Sequence, residues 1–198
     1  MNKQNELNVK LARACDNVFS GCIMRGKLIL KIAEIQIKNL VNKGANPNIP
    51  YTDEFNYKRD PIITKYCAVP PMLEILLKNG GDPKFRDENG NTLAHYIVGL
   101  GGYCGYHRSA KEDLECLQLL KKYGADIAAE NNNGESILSS RRCSDEITLF
   151  AIENGCKPQN PIDVDKLKMK AKGQEKNPIT KETMLRLHRD DAKATPNH

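Results

Sequence analysis

Tryptophan is absent from this 198-residue chain, and Phe and Tyr bring aromatics to only 6% of the residues. A large aromatic ligand pocket or a base-stacking platform therefore has little raw material. No apolar run approaches the roughly 18–20 residues that a membrane-crossing helix needs. The opening Met1-Asn2-Lys3-Gln4-Asn5-Glu6 is polar, unlike a secretory signal peptide. Seven cysteines form no Cys-x-x-Cys pair, so a reducing, cytoplasmic compartment is expected, with the thiols acting as small apolar fillers. Cys104-Gly105-Tyr106-His107 with Cys116 comes nearest to a metal ligand set. It lacks a second matching pair, and no metal is expected. The glycines from Gly99 to Gly105 are not followed by Lys-Ser/Thr and do not form Gly-x-Gly-x-x-Gly, so no phosphate-bearing cofactor is expected. No nucleophile sits in a recognisable catalytic motif, and no catalytic residue is assigned.

What is present suffices for a folded body. The chain is 39% hydrophobic and 28% charged, too apolar for wholesale disorder. Its formal charge is +5, unevenly placed. Residues 157–198 hold ten Lys and Arg against six Asp and Glu, a net of +4, which leaves +1 for residues 1–156. A nearly neutral body argues against nucleic acid as its main ligand.

Four glycines, Gly44, Gly80, Gly124 and Gly155, each follow an apolar stripe, at separations of 36, 44 and 31 residues. The stripes occupy positions seven, four and three before the glycine. They read Ile37, Leu40, Val41; Leu73, Leu76, Leu77; Leu117, Leu120, Lys121; and Thr148, Ala151, Ile152. Such spacing puts the side chains on one helical face, and the glycine suits the left-handed residue that closes a helix. Turn-forming segments follow: Asn46-Pro47-Asn48, Asp82-Pro83, Asp87-Glu88-Asn89-Gly90 and Asn131-Asn132-Asn133-Gly134. New helices are expected behind Thr92 and Ser136, whose hydroxyls can cap them. The unit is thus turn, helix, link, helix, glycine. Recurrence at this period points to a stacked array.

These residues resemble the ankyrin repeat. Gly90-Asn91-Thr92-Leu93-Ala94-His95 matches its Gly-x-Thr-Pro-Leu-His opening at Gly, Thr and His. Gly134-Glu135-Ser136-Ile137-Leu138 keeps the Gly and a hydroxyl, while Lys43-Gly44-Ala45-Asn46-Pro47-Asn48 and Tyr123-Gly124-Ala125-Asp126 match the closing motif. The resemblance covers about residues 5–160. It implies an all-α fold: a solenoid of about four helix-turn-helix repeats with short β-hairpin or loop fingers. Units are expected at about 5–50, 51–86, 87–130 and 131–160, with 161–198 a basic, mostly flexible tail carrying transient helix. Unit two opens irregularly over Tyr51–Asp60, and unit three carries an insert at 99–108. The resemblance gives Gly44, Gly80, Gly90, Thr92, His95, Gly124 and Gly134 structural roles in the repeat; His95 would bond the turn and the adjoining repeat.

It also implies that the chain is no enzyme and needs no cofactor, and that it is a monomer by itself. Its expected role is an adaptor that grips another protein with finger tips, concave helix face and inserted loop. Candidate partner-binding residues are Tyr51, Phe55 and Tyr57 in the first finger, Phe85, Arg86 and Asn89 in the second, and Tyr103, Tyr106, His107 and Arg108 in the loop. The competing class is an enzyme or enzyme fragment acting through the loop or the tail; tail-mediated attachment to nucleic acid or membrane is a third. Lys-, Asn- and Ile-rich usage resembles that of AT-rich intracellular genomes, where a host-directed effector acting in the host cytosol is one expectation. Burying one Leu between units stabilises by about 1.5–3 kcal/mol. Leu76→Asp and Leu120→Asp are therefore expected to melt the array cooperatively, and an unchanged thermal transition in either variant disproves this register.

Overall fold

Each of the four glycines closes a helix in the same way, and those helices form the spine of the fold. A computed structural model describes residues 2–22, 27–100, 109–140, 142–158, 162 and 164–175. The chain divides into two compact units, Met1–Asn160 and Pro161–His198. The first contains α1 (Lys3–Cys22), α2 (Lys27–Asn42), β1 (Tyr51–Thr52), β2 (Lys58–Arg59), α3 (Ile62–Tyr66), α4 (Pro70–Lys78), α5 (Leu93–His95), α6 (Ala110–Lys122) and α7 (Asp145–Glu153). The second contains α8 (Val164–Glu175). The expected helix at 183–187 and the residues 101–108 of the expected insert lie outside the described residues. Among the described residues the fold is mostly helical, with one antiparallel hairpin of two short strands, Tyr51 opposite Arg59 and Thr52 opposite Lys58.

The backbone N–H of Ala45 donates to the carbonyl of Leu40 at 3.0 Å, that of Gly81 to Leu76 at 2.8 Å, of Ala125 to Leu120 at 3.0 Å and of Cys156 to Ala151 at 3.0 Å. Gly44, Gly80, Gly124 and Gly155 all have φ between 88° and 106°. This six-to-one closure needs a left-handed residue, which a Cβ penalises. Beyond it, Asn46, Asp82 and Asp126 each accept the N–H two residues on, at 2.9, 2.8 and 3.0 Å. The chain therefore leaves α2, α4 and α6 along the same path.

α2 packs on α4, α4 on α6 and α6 on α7. The apolar interior is divided into two clusters. One joins Leu11, Cys15, Ile37, Ile62, Tyr66, Met72 and Leu76. The other joins Ile63, Cys67, Leu73, Leu93, Leu117, Leu120, Ile137 and Ile147. α3 and α4 contribute to both, so the second helical pair is the wall between two cores.

Two local expectations differ from the structure. Behind Ser136 stands a single 3-10 turn, Ile137–Ser139, instead of an α-helix. Ser140 is extended there, and its hydroxyl donates to the Val98 carbonyl at 2.6 Å, which pulls the chain out of the helical path. Behind Thr92 the helix continues past α5 as a π-turn, Tyr96–Leu100, so Gly99 and Leu100 are helical and do not begin a loop. The fully buried Ile97 and Val98 hold that turn against the core.

The polar stretch 51–60 is also more regular than expected. Asp53, Asp87 and Asn131 head three turns with one bonding scheme. In each, the side-chain Oδ1 accepts the N–H groups two and four residues on, at 2.8–3.0 Å. The backbone N–H of the same residue donates to the carbonyl four on, at 2.9–3.0 Å. The left-handed position three on is Asn56, Gly90 or Gly134, with φ of 64°, 76° and 73°. Gly90 carries a second constraint. A Cβ there would meet Asn132 Oδ1 at 2.3 Å and its backbone nitrogen at 2.9 Å, whereas at Gly134 nothing lies within 4 Å. A left-handed Ala costs about 1–2 kcal/mol at either site. Gly134→Ala is expected to lose about that much and Gly90→Ala clearly more, as read from urea midpoints. Equal losses would show that the packing of Asn132 on Gly90 contributes nothing.

Candidate functional site

The first finger, α1 and α3, together with Tyr96, line a cleft of about 680 Å³. Its lining carries four cations and four carboxylates, and three pairs of them meet. Arg13 of α1 meets Glu54 of the finger, Arg59 meets Asp53 at 2.6 Å, and Lys65 meets Asp16 at 2.7 Å. Tyr66 also donates its hydroxyl to Asp16. With Lys58 and Asp60 also lining the cleft, four cations balance four carboxylates and leave little net field to draw in a polyanion. The lining residues include no His, Cys or Ser, and the Thr64 hydroxyl is committed to the Pro61 carbonyl at 2.8 Å. This arrangement suits binding a neutral or mixed-charge surface.

The finger is held to α1 by one side chain acting as a strand. Asn5 accepts the Thr52 N–H at 2.7 Å and donates to the Thr52 carbonyl at 2.8 Å. Phe55 lines the cleft and is 71% exposed, and Tyr57, 63% exposed, stands beside it with Arg59 over its ring at 5.5 Å. Large aromatics displayed on a hydrogen-bonded turn lose little freedom on binding. Tyr51, expected at the finger tip, is instead 8% exposed and belongs to the first core. It sits on β1, whose alternation turns its ring inward.

The second-finger candidates serve the neighbouring finger. Arg86 donates to the carbonyls of Gly90 at 2.9 Å and Glu130 at 2.8 Å, and Asn89 accepts the Asn132 N–H at 2.9 Å. Phe85 is half-buried against the second core. These bonds, with Asn131 Nδ2 on Asn91 Oδ1 at 3.0 Å, clip fingers two and three together. No hydrogen bond among the described residues joins the turn 53–57 to the turn 87–91. Tyr103, Tyr106, His107 and Arg108 lie outside the described residues.

His95 is buried and ties two units together. Its Nε2 lies 2.9 Å from the Glu135 carbonyl and must carry the proton to bond it. Nδ1 is then the acceptor for the Thr92 backbone N–H at 3.2 Å and the Thr92 hydroxyl at 2.9 Å. This tautomer follows from the bonding network. Burial raises the thiol of Cys156 to about 11 and that of Cys143 likewise to about 11, which keeps both unreactive. Among the described residues, no three His, Cys, Asp or Glu side chains cluster as a metal would require, and no helix is long and apolar enough to cross a membrane.

Sequence reasoning marked the turns at 87–90 and 131–134 but did not single out Asp53, Asp87 and Asn131 as turn heads, nor the cleft residues Arg13, Asp16 and Lys65. The turn heads were findable as Asp or Asn followed three residues later by Gly or Asn. The cleft residues carry no local signal, because α1 and α3 meet only in three dimensions.

No protein-family profile matches the chain. A protein of Acanthamoeba polyphaga mimivirus, named as an ankyrin repeat protein, is 22% identical to it over 110 residues. That is 56% of this chain and 23% of the viral protein. Over about half its length, then, the chain is similar to an ankyrin repeat protein. It spans less than a quarter of that relative.

Asp87 is expected to make the finger network sensitive to acid. Burial raises its carboxyl, but bonds from the Asn91 side chain and backbone, the Tyr96 hydroxyl and the Asn89 N–H outweigh that and hold it below the ordinary value. The folded form therefore favours the carboxylate more than the unfolded chain does. That stability is present above about pH 4, the unfolded value, and is lost as pH falls through the depressed folded one. Asn131 heads the third finger with an amide in the same role. Asp87→Asn is thus expected to fold and to show a shallower loss of stability between neutral pH and about pH 3. Urea midpoints across that range check it; identical slopes refute a role for Asp87.

Proposed function

We propose that the chain is an ankyrin-repeat interaction module, a short solenoid without catalytic activity, whose cleft under the first finger binds a segment of another protein. One observation carries this reading: Phe55, a large and mostly exposed aromatic, stands on a hydrogen-bonded turn at the rim of a cleft whose four cations and four carboxylates balance, three pairs of them in contact. The repeated helix closures, the finger turns, the His95 link between units and the similarity to the mimivirus protein support the family reading. Ankyrin repeats generally bind proteins, and the cleft lies where the first helices and the fingers of such an array converge. The gap between fingers one and two favours the first finger as the gripping element, because its tip is free of the clip that fixes its neighbours.

A photo-crosslinking amino acid in place of Phe55 tests this against the same group at Gln118, an exposed position of α6. In cytosol from the organism's own host or cell, discrete protein adducts are expected from position 55, competed by unlabelled protein, and none from 118. Equal labelling at both positions overturns the assignment of the cleft.

A further inference from the structure

The outer edge of α2 points to a second binding face. In α4, α6 and α7 the residue eight before the closing glycine is Met72, Cys116 or Ile147, each fully buried. The residue five before it is Ile75, Leu119 or Phe150, buried or half-buried. These positions form the edge on which the preceding helix packs, since α2 lies on α4, α4 on α6 and α6 on α7. In α2 the same two positions are Gln36 and Asn39, both exposed. Beside them Leu28, Ile32 and Ile35 are 70, 49 and 60% exposed. That edge of a helix accepts another helix three times in this molecule, and in α2 it is open among the described residues.

The exposed residues are spaced by four, three and four: Leu28, Ile32, Ile35, Asn39. This is the alternation of a heptad seam, with Leu28 and Ile35 at d and Ile32 and Asn39 at a. The seam is apolar for its first three positions and polar at the fourth, where a single Asn fixes register and partner number. The flanking g positions are Lys31 and Lys38, both exposed. Glu34 does not offset them, because it sits towards Lys78 of α4. Residues 1–44 as a whole carry eight Lys and Arg against three Asp and Glu, a net of +5, whereas residues 45–156 carry twelve against sixteen. The first helical pair is thus a basic end on an acidic body.

We infer that this edge of α2 docks an acidic amphipathic α-helix of a partner protein, side by side as a short coiled coil with glutamates facing Lys31 and Lys38. A second copy fits poorly: an antiparallel pairing sets Lys31 and Lys38 against their own counterparts, and a parallel one sets Lys38 against Lys43. A further repeat of the same kind fits poorly too, because it would bury Gln36 and Asn39 against apolar side chains. This face is separate from the cleft, so the two can fail independently.

The probe is a three-heptad helical peptide with Ile at a, Leu at d, one Asn at a, and Glu at e and g. A sister peptide carries Lys in place of Glu. Fluorescence anisotropy with the full chain is expected to show saturable binding of the Glu peptide and none of the Lys peptide. Ile32→Glu and, independently, Ile35→Glu should each weaken it by at least about tenfold while leaving the thermal transition in place, because both side chains are exposed. The double variant Lys31→Glu with Lys38→Glu should exchange the preference to the Lys peptide. Phe55→Ala should leave the affinity unchanged, which separates this face from the cleft. No saturable binding of the Glu peptide, equal binding of both peptides, or indifference to both Ile variants overturns the inference. Sedimentation showing a dimer that Ile32→Glu disperses would give the face to a second copy. Flotation with phosphatidylserine vesicles, lost in Ile32→Glu and without peptide binding, would give it to a membrane. Either result also overturns it.

Discussion

The second helical pair has to bury two opposite sides, and the rest of the fold depends on that requirement. Ile62, Tyr66, Met72 and Leu76 face the core shared with α1 and α2, while Ile63, Cys67, Leu73 and Leu77 face the core shared with α5 and α6. Neither side can be covered from within a pair this small. Each fully buried aliphatic is worth about 1.5–3 kcal/mol, so exposing either side costs as much as a whole domain's stability of about 5–15 kcal/mol. The pairs consequently stand or fall with their neighbours. Stability here draws on the packing of each helix on the next, α2 on α4, α4 on α6 and α6 on α7.

Against that apolar wall the fingers are polar devices with little side-chain burial. Their shape comes from Asp53, Asp87 and Asn131, whose side chains replace a strand partner for the turn backbone. Their positions come from longer-range bonds. Arg86, Asn131 and Asn132 lock the second and third fingers together, and Asn5 locks the first to α1. The first finger is thereby fixed at its root and left open at its tip. Rigid display of Phe55 and Tyr57 beside a cleft follows from that asymmetry.

Charge follows the same division. In the cleft, opposite charges are spent on each other across elements, Arg13 with Glu54 and Lys65 with Asp16. Such exposed pairs add little stability; their consequence is a surface without a strong sign. On α2, Lys31 and Lys38 stand exposed beside an apolar seam, so this face and the cleft present different chemistry. His95, which invites a catalytic reading when seen alone, is occupied at both ring nitrogens by the turn of its own unit and the finger of the next.

Much of this was legible in the amino acids because it is local. A stripe at helical spacing followed by glycine specifies a helix and its end, since a left-handed closing residue excludes most side chains. The hydroxyl caps and Asn-Gly turns are determined over a handful of residues in the same way. The turn at Asp53 was harder to see because Asn56 takes the left-handed position that glycine holds elsewhere, and a polar stretch without glycine looks irregular. The failure at Ser136 has a non-local cause: the Ser140 hydroxyl reaches the Val98 carbonyl of the preceding unit, and no window of sequence contains both. Tyr51 was misplaced for a related reason, since which side of a two-residue strand meets the core depends on where α1 lies. The sequence by itself thus determined the glycine-closed helices and the polar turns that follow them, all set by backbone sterics and short-range bonding. Only the tertiary structure decided which aromatics are displayed, which charges cancel and which helix edge stays open, because those depend on which unit stands beside which.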